Sequence, residues 1–297
     1  MNAFMVRLLF LAFAAWAGDD AANPLQRELV EHGIEMAGAK QAVRLPAPSL
    51  PDGLDAKEQK QIIERLVSKK YTYDQFVRKS PVAPFLLEMN TQQEMPGKAA
   101  RDAGRVQRVD LWFVAYGEMQ TVNDRQLLSQ LAGGNRSSQT RFEPLSDDAL
   151  RKRDRSARDE EGYKENYTRI ELPVLDKVQV SGIVHAATTQ SRRSAVAAVL
   201  LDPTLTDDAE YPARWQSLGR GESGEPKLGE PQAYTGLAAY CRVCELQEPA
   251  GALWIECHLV FDEPHDWFNG ANLLRSKLPL VVQDSVRSFR RKLVGAQ

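Results

Sequence analysis

Three cysteines near the end of the chain are the residues whose types and spacing could support chemistry. Cys241 and Cys244 form a Cys-x-x-Cys pattern, and Cys257-His258 follows with twelve residues between. Two thiolates and an imidazole bind zinc when they converge tetrahedrally. A Cys-x-x-Cys pair at the start of a helix is a redox pattern, because the helix N-terminus lowers the thiol pKa.

The surrounding sequence favours strands over either of these sites. Positions i and i+3 of a strand point to opposite faces, as do the neighbours Cys257 and His258. A cross-strand disulfide and buried free thiols therefore remain as alternatives. If residues whose numbers sum to 501 are paired around a turn at 248–251, Cys244 lies opposite Cys257. We treat Cys244 and Cys257 as a disulfide candidate, which a one-residue change of register would remove.

The remaining ionisable residues form no recognisable catalytic pattern. The chain lacks a Gly-x-Ser-x-Gly elbow, a Walker loop, an HExxH pair, an EF-hand loop and a dinucleotide-binding GxGxxG. His185 is expected to be a structural strand residue, and Asp110 either an edge residue or a buried carboxylate with a partner. We predict no catalytic residue, no metal and no cofactor. A hydrolase would need His185, His258, Asp110 and the acids of 202–210 to share one cleft.

Composition is that of an ordinary globular protein. Of 297 residues, 43% are hydrophobic and 26% are charged, and the formal net charge is −2. A chain with this charge presents no overall basic field, so nucleic acid is not an expected partner. Three cysteines are too few for a disulfide scaffold.

The first seventeen residues have the pattern of a secretory signal. Arg7 is followed by a ten-residue apolar run, and 15–17 read Ala-Trp-Ala. This apolar run is shorter than the roughly 20 residues that a bilayer span needs. We predict a signal peptide over 1–17 with cleavage after Ala17, a secreted or periplasmic protein, and no stable membrane span after cleavage. The alternative is an uncleaved anchor.

Capping patterns predict short helices before the first strand. Asn23-Pro24 starts a helix that could run to Met36, and 43–53 hold three prolines and are expected to be an extended linker. We therefore assign 18–53 to an N-terminal helix and linker. Capping boxes at Asp55 and Thr72 begin two further helices.

The region 54–297 is predicted to be a single α+β domain. Alternating or continuous apolar runs predict strands over 85–89, 106–122, 167–175, 178–189, 195–201, 234–246 and 253–261. Within 106–122, Trp112 and Tyr116 face away from Leu111 and Phe113. The charge run 146–165 predicts a solvated helix or a mobile insertion, placed at about 132–165, and 219–232 are predicted to form a long surface loop.

The chain ends in a long amphipathic helix. Apolar residues recur at helical spacing at Leu274, Leu278, Val281, Val282, Val286, Phe289 and Leu293. Pro279 inside this stretch predicts a kink or a restart. The fold class we predict is α+β, a curved antiparallel sheet gripped by the long C-terminal helix, with short N-terminal helices.

The last part of the chain, about 234–294, resembles the end of the StAR-related lipid-transfer (helix-grip) fold. The junction ALWIECHLVFDEPHDWFNGANLLRSKLP looks like the strand–turn–helix junction of that family, with Asp262, Pro264, Trp267, Asn272 and Pro279. The family's usual Gly-x-(Ile/Leu)-Pro is missing there. The resemblance implies an apolar cavity for a sterol or lipid between sheet and helix, and no catalytic residues.

These observations lead to three hypotheses. The first is a secreted module that binds an apolar small molecule or lipid between sheet and helix. Its expected ligand-binding residues are Leu274, Leu278, Val282, Phe289, Trp112 and Tyr116. The second is an envelope structural or interaction protein with a filled core, and the third is an unrecognised hydrolase.

Overall fold

The computed structural model describes residues 23–37, 39–92, 104–122, 140–221, 225–268 and 273–295. The predicted signal peptide 1–17, the first part of the predicted insertion and Asn272 lie outside these ranges.

Six helices occur in the described residues: α1 (Pro24–Glu31), α2 (Ala56–Val67), α3 (Tyr73–Phe76), α4 (Met119–Val122), α5 (Asp147–Arg151) and α6 (Leu273–Gly295). The capping predictions are confirmed. Asn23 accepts a hydrogen bond from the backbone N–H of Gln26, and Asp55 and Thr72 each form a reciprocal capping box.

Helix α1 ends earlier than the sequence predicts, at Glu31 instead of Met36. Gly33 has a φ of +75°, and a Cβ there would lie 2.4 Å from the carbonyl oxygen of Val43. The chain turns at this glycine, and Ile34 then forms an antiparallel bridge with Val43. The close approach of two backbone segments, which only glycine permits, therefore ends the helix.

Within the described ranges, twelve strands form one antiparallel sheet. They are β1 (Phe85–Gln92), β2 (Arg105–Tyr116), β3 (Arg141–Pro144), β4 (Asp159–Glu160), β5 (Tyr163–Val174), β6 (Val178–Gln190), β7 (Ser194–Leu201), β8 (Arg214–Arg220), β9 (Pro226–Leu228), β10 (Gln232–Ala233), β11 (Leu237–Glu245) and β12 (Ala252–Glu263). The order is β1-β2-β12-β11-β7-β6-β5-β3, with β4 on β5 and with β8 pairing β6, β9 and β10. This sheet and α6 confirm the α+β class.

Two sequence predictions about loops and strands are wrong. The strand predicted over 106–122 ends at Tyr116, and Met119–Val122 is one helical turn. The predicted surface loop 219–232 instead contains the strands β9 and β10, which pair with β8. The prolines and glycines of this region suit short edge strands as well as loops, so composition could not separate the two.

The predicted kink or restart at Pro279 does not interrupt α6. The helix is continuous from Leu273 to Gly295 with Pro279 inside it. Proline in the first two turns removes one backbone donor, and the rest of this long helix is held by its packing against the sheet.

Most of the charge run 146–165 is exposed, but the side chain of Arg153 is buried in an ion pair. The run contains α5 and β4, and Arg153 is only 8% exposed. The Arg153 guanidinium forms an ion pair with Asp208 at 2.8 Å, which holds the pKa of that carboxyl below its usual value. A buried charge requires such a partner, and the partner lies 55 residues away in sequence.

Both faces of the sheet are covered. We call the face under α6 the inner face, and the opposite one the outer face. Along β2, β11 and β12 the odd-numbered residues lie on the inner face with α6, and the even-numbered ones on the outer face. The outer face is covered by α1, α2, α3 and the extended segment 43–54, which we call the strap. Val43, Leu45 and Leu50 of the strap are buried.

Candidate functional site

Helix α6 lies along the β1–β2 side of the inner face. Arg275 at its start donates a hydrogen bond to Thr91 of β1, and near its end Leu293 lies beside Gly117, just after β2. Phe289 packs edge-to-face on Phe113, with ring centroids 5.7 Å apart. The structure therefore brings the helix and the sheet together as the sequence predicts.

Four of the six predicted ligand-binding residues are on this inner side. Leu274, Leu278, Val282 and Phe289 are all buried in the same apolar cluster as the inner-face residues of the sheet. They form the row of α6 that faces the sheet. No ligand is needed to bury these side chains, so their burial alone leaves their role open.

The other two predicted residues, Trp112 and Tyr116, are not on the inner side, and this prediction is wrong. Both belong to the outer-face cluster with α2 and α3. The indole N–H of Trp112 donates to the Ser49 hydroxyl, and the Tyr116 hydroxyl donates to the carbonyl of Val77. Both faces of β2 are apolar, so the alternation could not say which face would meet α6.

A single buried arginine fixes the end of α6 to the sheet. Arg290 is 3% exposed, and its guanidinium donates to three backbone carbonyls, those of Val114, Ala83 and Pro84. Burial lowers the pKa of Arg290 to about 10, so the side chain stays charged at neutral pH. The arginine gives the carbonyls at the edge of this apolar interface the donors they need.

Small side chains cross the middle of the inner face. Thr188 of β6 is opposite Ala197 of β7, Ala197 is opposite Cys241 of β11, and Cys241 is opposite Cys257 of β12. We call these four residues the small-residue groove. The neighbouring row alternates Ala186 and Ala239 with the larger Val199 and Leu259.

Aromatic rings close one end of the inner face. Trp267 stacks on Tyr234 and Phe261, with ring centroids 5.6 and 6.2 Å apart, and meets Trp215 and Phe268 edge-on. The indole Nε1 of Trp267 is buried and has no hydrogen-bond partner in the part of the chain that the structure describes. The sequence could not show this cluster, because Trp215, Tyr234 and Phe261 lie in separate parts of the chain.

A cluster of four buried ionisable side chains lies on three neighbouring strands of the outer face. Asp110, Glu256 and His258 are 0% exposed and Arg242 is 3% exposed. The His258 Nδ1 lies 2.7 Å from an Asp110 oxygen. Burial alone would lower the pKa of His258, but its contacts with the Asp110 and Glu256 carboxyls raise it above the usual value.

The strap supplies partners for these charges. The backbone N–H of Ser49 donates to a Glu256 oxygen at 2.8 Å. Arg242 donates to the carbonyl of Leu50 and forms an ion pair with Asp52, and its Nη1 is 3.8 Å from the other Glu256 oxygen. The Tyr240 hydroxyl donates to the carbonyl of Pro46 at 2.7 Å. The charged cluster therefore binds the strap to the sheet.

The cluster contains an imidazole beside a carboxylate, as an acid–base pair does. Both groups are 0% exposed, so neither faces a surface that a substrate could reach. The second ring nitrogen of His258, Nε2, is 3.7 Å from a Glu256 oxygen and has no partner at hydrogen-bond distance among the described residues, and the side chain is closed off from solvent. No serine or cysteine in the described ranges is hydrogen-bonded to it. Asp110 and His258 therefore form a structural contact. The sequence alone did not indicate that these two residues meet.

The other predicted catalytic candidates lie elsewhere. His185 stacks on Tyr167 with centroids 4.6 Å apart, and its Nε2 is 3.6 Å from Glu165. Burial lowers the pKa of His185. Asp202 caps the turn at Pro203–Leu205, and Asp208 pairs with Arg153. The structure thus joins Asp110 with His258 but places His185 and the 202–210 acids in other contacts.

The predicted cysteine pairing is wrong. Residues of β11 and β12 pair with numbers that sum to 498, so Cys244 is opposite Trp254 and Cys241 is opposite Cys257. Cys244 lies on the outer face and Cys257 on the inner face, which excludes a bond between them in this fold. Burial raises the pKa of Cys244 to about 12.

Two clefts open on other surfaces. One, of about 390 Å³, lies beside the strap and includes Asn23, Asp52 and Ser191 in its lining. The second, of about 540 Å³, lies near Met36 and Thr235. Neither is lined by any of the six predicted ligand-binding residues. Within the described ranges, no group of three or more potential metal ligands converges, and no helix has the length and apolarity of a membrane span.

Comparison with known proteins leaves the family open. No family model matches the chain, and no curated protein matches it. Among solved structures, the crystal structure of human STARD10 matches with 9% sequence identity and a TM-score of 0.30, over 87% of this chain and 88% of that one. Likeness at this level concerns the general fold at most, and nothing about binding follows from it.

Proposed function

We propose that the mature chain is an exported, non-catalytic protein that binds an apolar small molecule or lipid between the inner face of the sheet and α6. The observation that carries the proposal is the small-residue groove. Its short side chains run across four neighbouring strands of the inner face, and the next row adds two alanines beside Val199 and Leu259. Ligand sites of this kind are concave and mainly apolar.

The chemistry of the inner face defines the class of ligand. Valine, leucine, isoleucine and alanine side chains offer dispersion contacts but no charge. The buried Trp267 Nε1 at the aromatic end is a donor without an acceptor among the described residues. We expect an elongated apolar molecule that carries one carbonyl or hydroxyl oxygen, because a buried donor gains most from an acceptor of that kind.

The pattern of 1–17 supports the export part of the proposal. Expression of the full chain in a bacterial host, followed by N-terminal sequencing of the soluble extracellular or periplasmic fraction, tests it. The expected product begins at Gly18. A product that begins at Met1 and stays with the membrane would support an uncleaved anchor instead.

The substitution Ala197→Leu tests the binding part. If the groove holds a ligand, the leucine occupies ligand space, so stability changes little while the ligand is lost. If the interior is filled by side chains, the same substitution overpacks it at a cost of about 1–3 kcal/mol, and no ligand is present to lose. Native mass spectrometry of detergent-free protein, organic extraction and urea denaturation distinguish the two results.

A substitution at the neighbouring residue, Ala198, provides a matched control for Ala197→Leu. Ala198 is as deeply buried as Ala197 but lies on the outer face. The variant Ala198→Leu should be destabilised by overpacking and should keep its ligand. A wild-type chain that carries no organic molecule after purification without detergent, together with a destabilised Ala197→Leu, would favour the filled-core interaction protein.

A further inference from the structure

We propose that Cys241 and Cys257 form a disulfide that joins β11 to β12 on the inner face. The two residues are directly opposite in the register of the strands, and their sulfur atoms are 2.9 Å apart. Both are buried, at 0% and 3% exposure. The proposal does not depend on the proposed function, because it needs only the pairing of these two strands.

Hydrogen bonds at the two ends of the hairpin show whether Cys241 and Cys257 form a hydrogen-bonded or a non-hydrogen-bonded pair of the ladder. Leu246 N–H donates to the carbonyl of Ala252 at 2.9 Å, and Asp262 N–H donates to that of Gly236 at 3.0 Å. Hydrogen-bonded and non-hydrogen-bonded pairs alternate along an antiparallel ladder. Even-numbered residues therefore occupy the hydrogen-bonded pairs, and Cys241 with Cys257 is a non-hydrogen-bonded pair.

A non-hydrogen-bonded pair is the type that brings two cysteines closest together. Its Cα atoms are about 4.5 Å apart, with the side chains on the same face. Disulfides occur at Cα separations of about 4.4–6.8 Å. The sulfurs can therefore reach bonding distance by small side-chain rotations, without movement of either strand.

The third cysteine cannot compete for either partner in the folded chain. Cys244 is on the outer face and is opposite Trp254. The structure therefore predicts one specific disulfide and one free thiol. A mixture of pairings would be expected only from chains whose hairpin has not formed.

The bond forms by exchange with an external disulfide. The two thiols lose two protons and two electrons as the sulfur–sulfur bond forms, and oxidised glutathione is reduced to two molecules of reduced glutathione. Burial raises the pKa of the Cys257 thiol well above its usual value, so the reactive thiolate is scarce in the folded chain. Exchange should therefore be fast during folding and slow afterwards, for oxidants and reductants alike.

Refolding tests the proposal. Urea-denatured, reduced full chain is refolded with a mixture of oxidised and reduced glutathione, and free thiols are then alkylated under denaturing conditions. Trypsin cleaves after Arg242 and a glutamate-specific protease after Glu245 and Glu256, so each cysteine falls on its own peptide. The expected result is a peptide pair that joins Cys241 to Cys257, with alkylated Cys244.

Variants provide the controls. Cys244→Ser should form the same bond, and Cys257→Ser should form no specific intramolecular bond. Refolded wild type should melt roughly 5 °C or more above its reduced form, since the bond closes a loop of about 15 residues. Three alkylated cysteines after refolding, or a bond that includes Cys244, would overturn the proposal, and neither outcome bears on ligand binding.

Discussion

The two faces of β2, β11 and β12 are both largely apolar, but the outer face also buries a cluster of charged side chains. The inner face is apolar and is covered by one amphipathic helix, α6. The outer face buries Asp110, Arg242, Glu256 and His258 under the strap. An apolar face needs only an apolar cover, whereas a buried charge needs a cover with hydrogen-bonding groups at fixed positions.

This difference explains why the two covers look so unlike each other. Helix α6 has satisfied its own backbone, so it offers side chains and little else to the sheet. The strap is extended, so its backbone N–H and C=O groups are free to meet the charges, as Ser49 and Leu50 do. Its prolines keep it extended and its apolar residues fill the remaining surface. The predictions below test this contrast.

The largest effect is expected from removing the positive charge of the outer face. Arg242→Met leaves Glu256 buried without its cation, and breaking such a buried pair costs about 3–5 kcal/mol. Urea denaturation of wild type and Arg242→Met measures this loss as a difference in the free energy of unfolding. Arg193→Met is the matched control, because its ion pair with Glu245 is exposed and should contribute less than about 1 kcal/mol. Equal losses in the two variants would contradict the contrast between covered and exposed charge.

A smaller loss is expected on the inner face. Val282→Ala removes two methyl groups from a fully buried residue of α6, at a cost of about 2 kcal/mol from transfer and cavity formation. Val294→Ala on the same helix is the control, since Val294 is 47% exposed and should change stability by less than about 0.5 kcal/mol. Thermal and urea unfolding check both. A loss at Val294 as large as that at Val282 would mean that the outer side of α6 is also covered.

The outer face should also make stability depend on pH through His258. Because the pKa of His258 is raised in the folded chain, its protonated form contributes stability that is fully present below the unfolded pKa of about 6.5. That contribution is lost as the pH rises through the folded pKa. The advantage of wild type over His258→Gln should therefore be greatest near pH 6 and shrink at higher pH.

Urea unfolding of both proteins from pH 5.5 to pH 9 measures this change. Each tenfold difference in proton affinity between folded and unfolded chains corresponds to roughly 1.4 kcal/mol. His32→Gln is the control, because His32 is exposed at the end of α1. An advantage over His258→Gln that grows with pH would show that His258 is buried in its neutral form.

The smallest effect is expected where α6 ends against the sheet. A Cβ at Gly117 would lie 3.3 Å from a methyl group of Leu293, which is tight but can be relieved by a small side-chain shift. Gly117→Ala should therefore change the free energy of unfolding by less than about 1 kcal/mol. Leu293 is 0% exposed, so Leu293→Ala is itself destabilising, but in that background the added cost of Gly117→Ala should nearly vanish because the contact is gone. If Gly117→Ala costs more than this, and if Leu293→Ala does not reduce that cost, the strain arises in the backbone at Gly117 and not in the contact with Leu293.

Features that depend on a few neighbouring residues could be predicted from the sequence. The capping boxes at Asp55 and Thr72 satisfy backbone donors within the same turn, so no distant contact is needed to form them. The apolar row of α6 and the alternation of β6 are equally local patterns, and both predictions are confirmed. The α+β class followed from those patterns together.

Register could not be predicted, and the cysteine prediction was wrong for that reason. The hairpin between β11 and β12 has a five-residue loop over 247–251, with Gly251 at a φ of +71°. The connection 246–251 contains no Asn-Gly pair that would fix the register of this hairpin. The sum of 501 and the sum of 498 therefore fit the local pattern equally. The first would pair Cys244 with Cys257, whereas the second, which the structure has, pairs Cys241 with Cys257.

Local sequence patterns predicted the starts of α1, α2 and α3, the alternation of β6 and the apolar side of the last helix, because each of these depends on neighbours in the chain. Tertiary structure alone decided that Trp112 and Tyr116 face away from α6, that Asp110 meets His258, and that Cys241 meets Cys257. Those outcomes depend on which strands lie side by side and in what register. The free energy that selects a register comes from burying whole faces of the sheet, and no short segment carries that information.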